Sequence, residues 1–417
     1  MCFFLVLLIL PLPFSLMQLI NLVLLFLPII TCLPTAPKPI DLPLQFIKRH
    51  SFQKRSSSLE LPLLNDVGMS ELGIQVKIGT PAKEFTLLFD TGSADTWVPS
   101  IRCLEINGCP EFLNRYNPIE SHSSSQIINE VFNITYSIGG AAGLYFTDVL
   151  SLADGYTIQN QKLAMVESNR GAISHQRNKT VFLDGILGAG LPQGTIQYLQ
   201  SGSGYAPVPV SLYESGLIPK PVFSVAIGQG DQGRVRFGDT MCPEGDLVYT
   251  PVAPAASHWA VNALGFQFKN KTTSRDFRFN QPTPVGIDTG SNFMYLPTAL
   301  ALDLAKTIAP GRFEALPGLF AVDCEYETSR DVLNLYFPGT QGQNVFISIP
   351  ISKLVAKRES DGACFFLFTP SDHEFILGNM FLRHFVVVFD FGKTKQIGFA
   401  PLVNEERIMS VNETTAA

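Results

Sequence analysis

Two short sequences carry the most distinctive chemistry in this chain. Phe-Asp-Thr-Gly-Ser at positions 89–93 recurs 198 residues later as Ile-Asp-Thr-Gly-Ser at 287–291. One such triplet is typical of an ordinary turn, but each copy follows an apolar stretch and precedes an Ile-Leu-Gly, 96 and 88 residues after its aspartate. The repeat predicts two homologous β lobes. If the lobes face each other, Asp90 and Asp288 meet at the pseudo-twofold axis.

Two carboxylates held that close cannot both ionise, so the pair shares one proton across a wide acidic range. One aspartate can then act as a general base while the other acts as a general acid. The neighbouring residue types suit this chemistry, because Gly allows close backbone approach and hydroxyl groups can bind carboxylate oxygens. The residues predicted to support the pair are Thr91, Gly92, Ser93, Thr289, Gly290 and Ser291.

The rest of the sequence predicts a β-rich fold that positions these two turns. From Gly73 onward, short apolar or alternating runs are separated by Gly, Pro, Asn and Ser, which predicts many strands and turns. We expect strands such as 85–89, 133–138 and 385–389, and few helices, the clearest at 297–308. The content of charged residues, 16%, lies below the roughly 25% of an average soluble protein.

Several other classes of protein are disfavoured. The net charge of −6 supplies no basic surface for nucleic acid. The sequence has no His-Glu-x-x-His zinc motif and no Gly-x-Ser-x-Gly elbow, and its six histidines are scattered. We therefore expect neither a metal site nor a cofactor.

The N-terminal region predicts export. Residues 1–33 are almost unbroken apolar sequence, which indicates a signal peptide or a retained signal anchor, with either Met1 or Met17 as the start. Residues 34–55 contain two dibasic pairs, Lys48-Arg49 and Lys54-Arg55, and are interpreted as a propeptide cut by a dibasic-directed processing protease. Without residues 1–55 the chain keeps 25 basic and 35 acidic residues, a net charge of −10.

Cysteines and glycosylation motifs agree with an exported protein. Outside the leader, Cys103 and Cys109 could close a tight loop and Cys324 and Cys364 a longer one, which leaves Cys242 over. The Asn-x-Ser/Thr triplets that make glycosylation candidates begin at Asn133, Asn178, Asn270 and Asn412.

From about Gly73 to Leu402 the chain resembles the pepsin-like aspartic endopeptidases, particularly the secreted fungal ones. The resemblance rests on the paired turns and their Ile-Leu-Gly partners. It implies an all-β, mostly antiparallel fold with two homologous barrel-like lobes, here 56–247 and 248–417, and a substrate cleft between them. It also implies that Asp90 and Asp288 hold the attacking water.

The resemblance extends to the parts that would contact substrate. Tyr136 matches the tyrosine of a hairpin, the flap, whose tip here continues with Ser137, Ile138 and Gly139, and Trp97 matches the tryptophan that supports this tyrosine. Cys103–Cys109 and Cys324–Cys364 match one disulfide per lobe. By the same resemblance, the residues near the pocket that receives the side chain before the scissile bond are Leu88, Tyr136, Leu183 and Ile186.

Two positions depart from the pattern of that family. Ser137 stands where a glycine is usual, so the flap tip has a different shape or stiffness. Gly286 stands where a branched apolar residue is common, and we expect the loss of that bulk to widen the cleft on the side after the scissile bond, the primed side.

Together these features predict a secreted, monomeric aspartic endopeptidase that cuts polypeptides at acid pH and prefers hydrophobic residues around the scissile bond. The alternative is a catalytically inert binding or inhibitor protein of the same fold. For localisation, the alternatives to secretion are a vacuolar protein or one tethered to the membrane through the N-terminal segment.

Overall fold

The computed structural model describes residues 39–48, 70–153, 155–171, 173–176, 182–227, 232–241, 247–402 and 410–414. The predicted leader, residues 1–33, lies outside this part, as do Cys242 and Asn178. Within the described residues, no helix has both the length and the apolar character needed to cross a membrane.

Strands dominate the chain up to residue 251. They are β1 (Ile40–Lys48), β2 (Ser70–Ile78), β3 (Lys83–Asp90), β4 (Trp97–Pro99), β5 (Ser125–Thr135), β6 (Gly139–Ala153), β7 (Tyr156–Gly171), β8 (Gly185–Gly188), β9 (Val222–Ala226), β10 (Gln232–Phe237) and β11 (Val248–Pro251).

Strands also dominate the remainder. They are β12 (Ala260–Lys269), β13 (Ser274–Ile287), β14 (Met294–Pro297), β15 (Phe313–Leu316), β16 (Leu319–Val322), β17 (Val332–Pro338), β18 (Asn344–Pro350), β19 (Val355–Lys357), β20 (Cys364–Phe366), β21 (Phe368–Ser371), β22 (Ile376–Leu377), β23 (Phe385–Asp390), β24 (Gln396–Pro401) and β25 (Ser410–Thr414).

Helices are few and short in the described residues. The α-helices are α1 (Ile196–Ser201), α2 (Val208–Glu214), α3 (Thr298–Ile308) and α4 (Asn379–Leu382), and single 3₁₀ turns lie at Glu105–Asn107, Ile173–His175, Pro192–Gly194, Cys324–Thr328 and Ile351–Leu354. Helix α3 forms where the sequence predicts it, because Ala301, Leu304, Ala305 and Ile308 recur on one buried face.

The strands form three sheets. The largest runs β11-β24-β23-β9-β10-β1-β2-β3-β8-β4-β7-β6-β5, so strands from both ends of the chain share it. The second runs β21-β14-β22-β13-β12-β17-β18-β25, and the smallest runs β15-β16-β20-β19. Most pairings are antiparallel; the exceptions are β3–β8, β4–β7, β13–β22 and β14–β21. The all-β, mostly antiparallel prediction is confirmed.

Strand β1 belongs to the segment interpreted as a propeptide. It lies between β10 and β2, with Ile40 opposite Phe237 and Lys48 opposite Ser70. Ile40 and Leu42 are buried in the core. The described part of this segment is therefore an internal strand of the largest sheet.

Aromatic rings tie the two halves of the core together. Phe223 stacks on Phe389 with a centroid distance of 4.8 Å and meets Phe89 edge-on at 6.0 Å. Trp259 meets Phe389 at 5.3 Å, and its Nε1 donates to the carbonyl of Ala189 at 2.9 Å. Since Phe89 directly precedes Asp90, this packing fixes the base of the first Asp-Thr-Gly-Ser turn.

Candidate active site

Asp90 ends a buried strand and is positioned by its neighbour. Strand β8 runs parallel to β3, with Leu88 opposite Ile186 and Asp90 opposite Gly188. The amide of Ala189 donates to the Asp90 carbonyl at 2.7 Å. The first Ile-Leu-Gly thus supplies the strand against which the Asp90 turn is built.

Asp288 is positioned in the same way. It follows β13, which runs parallel to β22, with Ile287 opposite Leu377. The Asp288 amide donates to the Leu377 carbonyl at 3.1 Å. The two halves of the sequence repeat therefore form two equivalent arrangements, each with an aspartate beside its own Ile-Leu-Gly.

Each carboxylate is oriented by donors from its own turn. The Gly92 amide donates to Asp90 Oδ1 at 2.8 Å, and the Ser93 hydroxyl donates to Oδ2 at 2.5 Å. The glycine and serine of the second turn hold Asp288 in the same manner, at 2.7 Å and 2.6 Å. Both side chains are fixed before any substrate arrives.

The glycines bring the two carboxyl groups together. A Cβ atom on Gly92 would lie 2.5 Å from Asp288 Oδ1, and one on Gly290 would lie 2.4 Å from Asp90 Oδ1. Real Cβ contacts are not that short, so a side chain at either position would push the aspartates apart. Close facing of Asp90 and Asp288 requires glycine at both positions.

Electrostatics in the site favour a shared proton. Burial raises the pKa of the Asp90 carboxyl well above its usual range, and the negative charge of Asp288 raises it further. Hydrogen bonds from Ser93 and Gly92 act in the opposite direction. A carboxyl beside a second carboxyl in a buried site keeps its proton at pH values where a free one would lose it.

Beneath the carboxylates, two threonines link the turns symmetrically. The Thr91 amide donates to Thr289 Oγ1 at 3.1 Å, and the Thr289 amide donates to Thr91 Oγ1 at 3.0 Å. Each hydroxyl then donates across to the strand before the opposite aspartate, to the Ile287 and Phe89 carbonyls, both at 2.8 Å. These four bonds fix the spacing of the two turns.

The hairpin predicted as a flap differs slightly from the expected strand. Strand β5 ends at Thr135, so the strand predicted over 133–138 is too long at its C-terminal end. The chain turns at 136–139, where the Tyr136 amide donates to the Gly139 carbonyl at 2.9 Å. Gly139 has φ +91°, a left-handed conformation that favours glycine.

Trp97 and Tyr136 meet as the resemblance implies. Trp97 Nε1 donates to the Tyr136 hydroxyl at 2.8 Å. Burial raises the pKa of the Tyr136 phenol well above its usual value, and the charge of Asp90 adds to this effect. The phenol therefore stays protonated throughout the range in which carboxyl groups titrate.

The predicted pocket residues lie together around this pair. Leu88, Leu183 and Ile186 are buried in one cluster with Trp97, and Tyr136 packs against that cluster. At Gly286, two residues before Asp288, a Cβ would lie 3.5 Å from Ile376 Cγ1, an ordinary contact distance.

Both predicted disulfides are present, Cys103–Cys109 and Cys324–Cys364. Among the glycosylation candidates, Asn133 is exposed on β5, and Asn270 is partly exposed in the turn between β12 and β13. Asn412 belongs to strand β25.

The sequence did not reveal two polar clusters near the site. Buried Asp95 accepts hydrogen bonds from the Tyr145 and Tyr205 hydroxyls, both at 2.7 Å, and from the amide of Ile196 at the start of α1. At the flap tip, the Ser137 hydroxyl donates to Glu374 from the other half of the chain. The duplicated Asp-Thr-Gly-Ser turn does not predict either cluster, since the residues of the clusters lie outside the repeated motifs.

Comparison with known proteins identifies the class that this geometry defines. Residues 72–402 match the family model of the eukaryotic aspartyl proteases. The chain belongs to that family and is an aspartic-type endopeptidase, as the paired turns predict. Nothing in the comparisons favours the inert alternative.

Proteins similar to this chain include fungal and vertebrate enzymes. The chain is 36% identical over 369 residues to mucorpepsin of Rhizomucor miehei, covering 86% of this chain and 84% of that protein. It is 28% identical to pepsin A of Bos taurus, covering 86% and 93% of the two chains. The crystal structure of the aspartic proteinase from Irpex lacteus has the same fold, with a TM-score of 0.65 at 19% identity over 88% of this chain and 99% of that one.

Proposed function

We propose that Asp90 and Asp288 share one proton at acid pH and activate a water molecule held between them. The observation that carries this proposal is the facing of the two carboxyl groups across Gly92 and Gly290, with a raised pKa at Asp90. In the first step, the ionised carboxylate takes a proton from the water as its oxygen attacks the peptide carbonyl carbon. The protonated carboxyl gives its proton to the carbonyl oxygen, and a tetrahedral diol results.

Collapse of the diol completes the reaction. The carboxyl that took the water proton passes it to the amide nitrogen as the C–N bond breaks. One diol hydroxyl returns its proton to the other carboxylate, which leaves a carboxylic acid and an amine. The dyad again holds one proton, and no covalent bond to the protein forms at any step.

Removing either carboxyl group tests the mechanism. We expect Asp90→Asn and Asp288→Asn to lower kcat by at least about 10²–10⁴-fold, the usual contribution of a general acid or base. A matched control is Asp303→Asn, since Asp303 is exposed and pairs with Arg275 at 2.7 Å; it should stay fully active. Wild-type activity should peak at acid pH and be blocked by statine-type inhibitors. Activity of purified Asp288→Asn above a tenth of wild type would contradict the mechanism.

We further propose that the pocket beside Tyr136 receives a bulky hydrophobic side chain of the residue before the scissile bond. Leu88, Leu183 and Ile186 offer an apolar lining next to the Trp97–Tyr136 pair. Each buried methylene contributes roughly 0.8 kcal/mol, which biases cleavage without imposing one sequence. A peptide-library digest should show Leu and Phe enriched at that position. Strict cleavage after Lys or Arg would rule the pocket out.

We also propose that the protein is exported as a zymogen and processed at a dibasic pair to start at Ser56. The apolar leader, the sequons and two disulfides support an oxidising, extracellular destination. Lys54→Ala with Arg55→Ala should give a longer secreted form that activates slowly, whereas the control Lys48→Ala with Arg49→Ala should still mature at Ser56. N-terminal sequencing reads the result, and a double variant at 54–55 that begins at Ser56 refutes this processing site.

A further inference from the structure

The flap tip touches the opposite half of the molecule at one acidic side chain. Ser137 Oγ donates a hydrogen bond to Glu374 Oε1, across 237 residues of sequence. Glu374 lies in the loop between β21 and β22, whereas Ser137 lies at the end of the flap. A peptide that runs between the flap and the dyad must therefore pass beside this carboxyl group.

The loop that carries Glu374 is anchored at both ends. Thr298 Oγ1 donates to Asp372 Oδ1 at 2.6 Å, which ties the start of the loop to α3. The Glu374 amide donates to Ser371 Oγ at 3.0 Å, and the Phe375 carbonyl accepts from the Gly286 amide at 2.8 Å. The backbone that carries Glu374 is therefore held in place, and the hydrogen bond from Ser137 orients its carboxyl group.

The charge of Glu374 has no oppositely charged Lys or Arg partner in the part of the chain that the structure describes. Its side chain is half-buried, and among the described residues no Lys or Arg forms an ion pair with it. Burial raises the pKa of Glu374, the charge of Asp288 raises it further, and His373 on the same loop lowers it. A half-buried carboxylate that is repelled by a neighbouring acid gains stability when a cation approaches.

The residue that faces the loop carrying Glu374 is a glycine, Gly286, which pairs with Ile376. Gly286 contributes no side chain to this part of the cleft, and its nearest neighbours belong to Phe375 and Ile376, directly after Glu374. By resemblance, Gly286 lies on the primed side of the scissile bond. A lysine or arginine of the substrate can extend here until its charged end meets the carboxyl group.

We propose that Glu374 is a specificity-determining residue that selects substrates with a basic side chain at one of the first three positions after the scissile bond. This proposal rests on the proposed endopeptidase function and assigns it a second preference, separate from the hydrophobic pocket on the other side of the bond. When no such side chain is present, the Ser137 hydroxyl donates its hydrogen bond to the Glu374 carboxyl group. The incoming cation replaces this hydrogen bond.

The test compares cleavage of matched peptides. Each has Phe before the scissile bond and Lys, Gln or Glu at one of the three following positions, and kcat/KM is measured for every peptide. Wild type should cut the Lys peptide about 3–10-fold better than the Gln peptide at one position, the range for a partly exposed ion pair of about 0.7–1.4 kcal/mol. Glu374→Gln should bring that ratio to about 1, and Glu374→Lys should invert it in favour of the Glu peptide.

Two further variants separate this explanation from others. Glu314→Gln removes the same charge from exposed strand β15 and should keep the wild-type ratio. Ser137→Ala removes the flap hydroxyl and should keep or increase the preference for Lys, because the carboxyl group is then free for substrate.

The ratio should also grow as the pH rises through the pKa of Glu374, which burial and the charge of Asp288 hold above its usual value, because only the ionised carboxyl group attracts the cation.

Ratios that are unchanged in both Glu374 variants overturn the proposal and leave the endopeptidase function intact. Loss of the preference in Ser137→Ala but not in Glu374→Gln also overturns it, because the flap would then be the selector. If wild type cuts none of the peptides, the endopeptidase function and this proposal fail together.

Discussion

The hydrogen bonds of Thr91 and Thr289 beneath the two aspartates can be tested by exchanging a single hydroxyl group for a methyl group. Thr91→Val keeps the size and shape of the side chain but removes the hydroxyl that accepts from the Thr289 amide at 3.0 Å and donates to the Ile287 carbonyl at 2.8 Å. Thr91, Thr289 and Ile287 are all buried, so water cannot replace either bond. Each orphaned backbone group costs about 1–3 kcal/mol. We therefore expect a loss of about 2–6 kcal/mol in the free energy of unfolding.

The chain offers a matched control for this exchange. Thr250 is also fully buried, but its Oγ1 has no hydrogen-bond partner among the described residues. Thr250→Val therefore removes an unsatisfied hydroxyl and should be neutral or stabilising by up to about 2 kcal/mol. Urea unfolding of both variants at acid pH, monitored by tryptophan fluorescence and by activity, measures the difference in their free energies of unfolding. Equal unfolding midpoints for the two variants would refute the stabilising role of the Thr91 and Thr289 hydrogen bonds.

Three shorter predictions concern the site itself. Gly290→Ala should lower kcat more than about 100-fold with retained circular dichroism, because its Cβ would lie 2.4 Å from Asp90 Oδ1; wild-type kcat in a folded variant would contradict the geometry. Gly286→Val should reduce kcat/KM for peptides with a large residue after the scissile bond more than for those with Ala, since the added side chain takes up space beside Ile376; an equal reduction for both would count against a widened cleft. Because folding raises the pKa of Asp90, the protonated carboxyl group contributes stability below about pH 3.9, and this contribution is lost as pH rises through the folded pKa. Asp90→Asn should thus withstand more urea than wild type at pH 7 but not at pH 3, and no difference at pH 7 would contradict the shift.

The sequence predicts the two aspartates and their neighbours better than the contacts between distant segments. Asp90 and Asp288 could be found because a duplicated turn leaves two copies of one signal, and Trp97 and Tyr136 because their spacing from Asp90 matches a known family. The Ser137–Glu374 contact could not be predicted, since it joins segments that are neither duplicated nor periodic. The end of the flap strand was also missed, because Tyr136 and Ile138 have strand propensity while the turn depends on Gly139.

The segment interpreted as a propeptide shows another limit. Its dibasic pairs are the basis for interpreting it as a processing region, but its residues at 40–48 have no pattern that fixes which strands they join. Long-range pairing with β10 and β2 decides that position. Local sequence carries little information about such pairing.

The internal position of β1 has a consequence for the protein after processing. A cut at Arg55 would sever the link to β2 and leave residues 40–48 in place as a separate peptide, held by backbone bonds on both sides, by buried Ile40 and Leu42, and by the Asp41–Arg236 pair at 2.6 Å. An intramolecular strand would thereby become a noncovalent subunit with its own dissociation constant. The stability of the processed enzyme would then depend on its concentration, as it does for a two-chain complex, and dilution or added synthetic peptide would shift its unfolding midpoint in opposite directions.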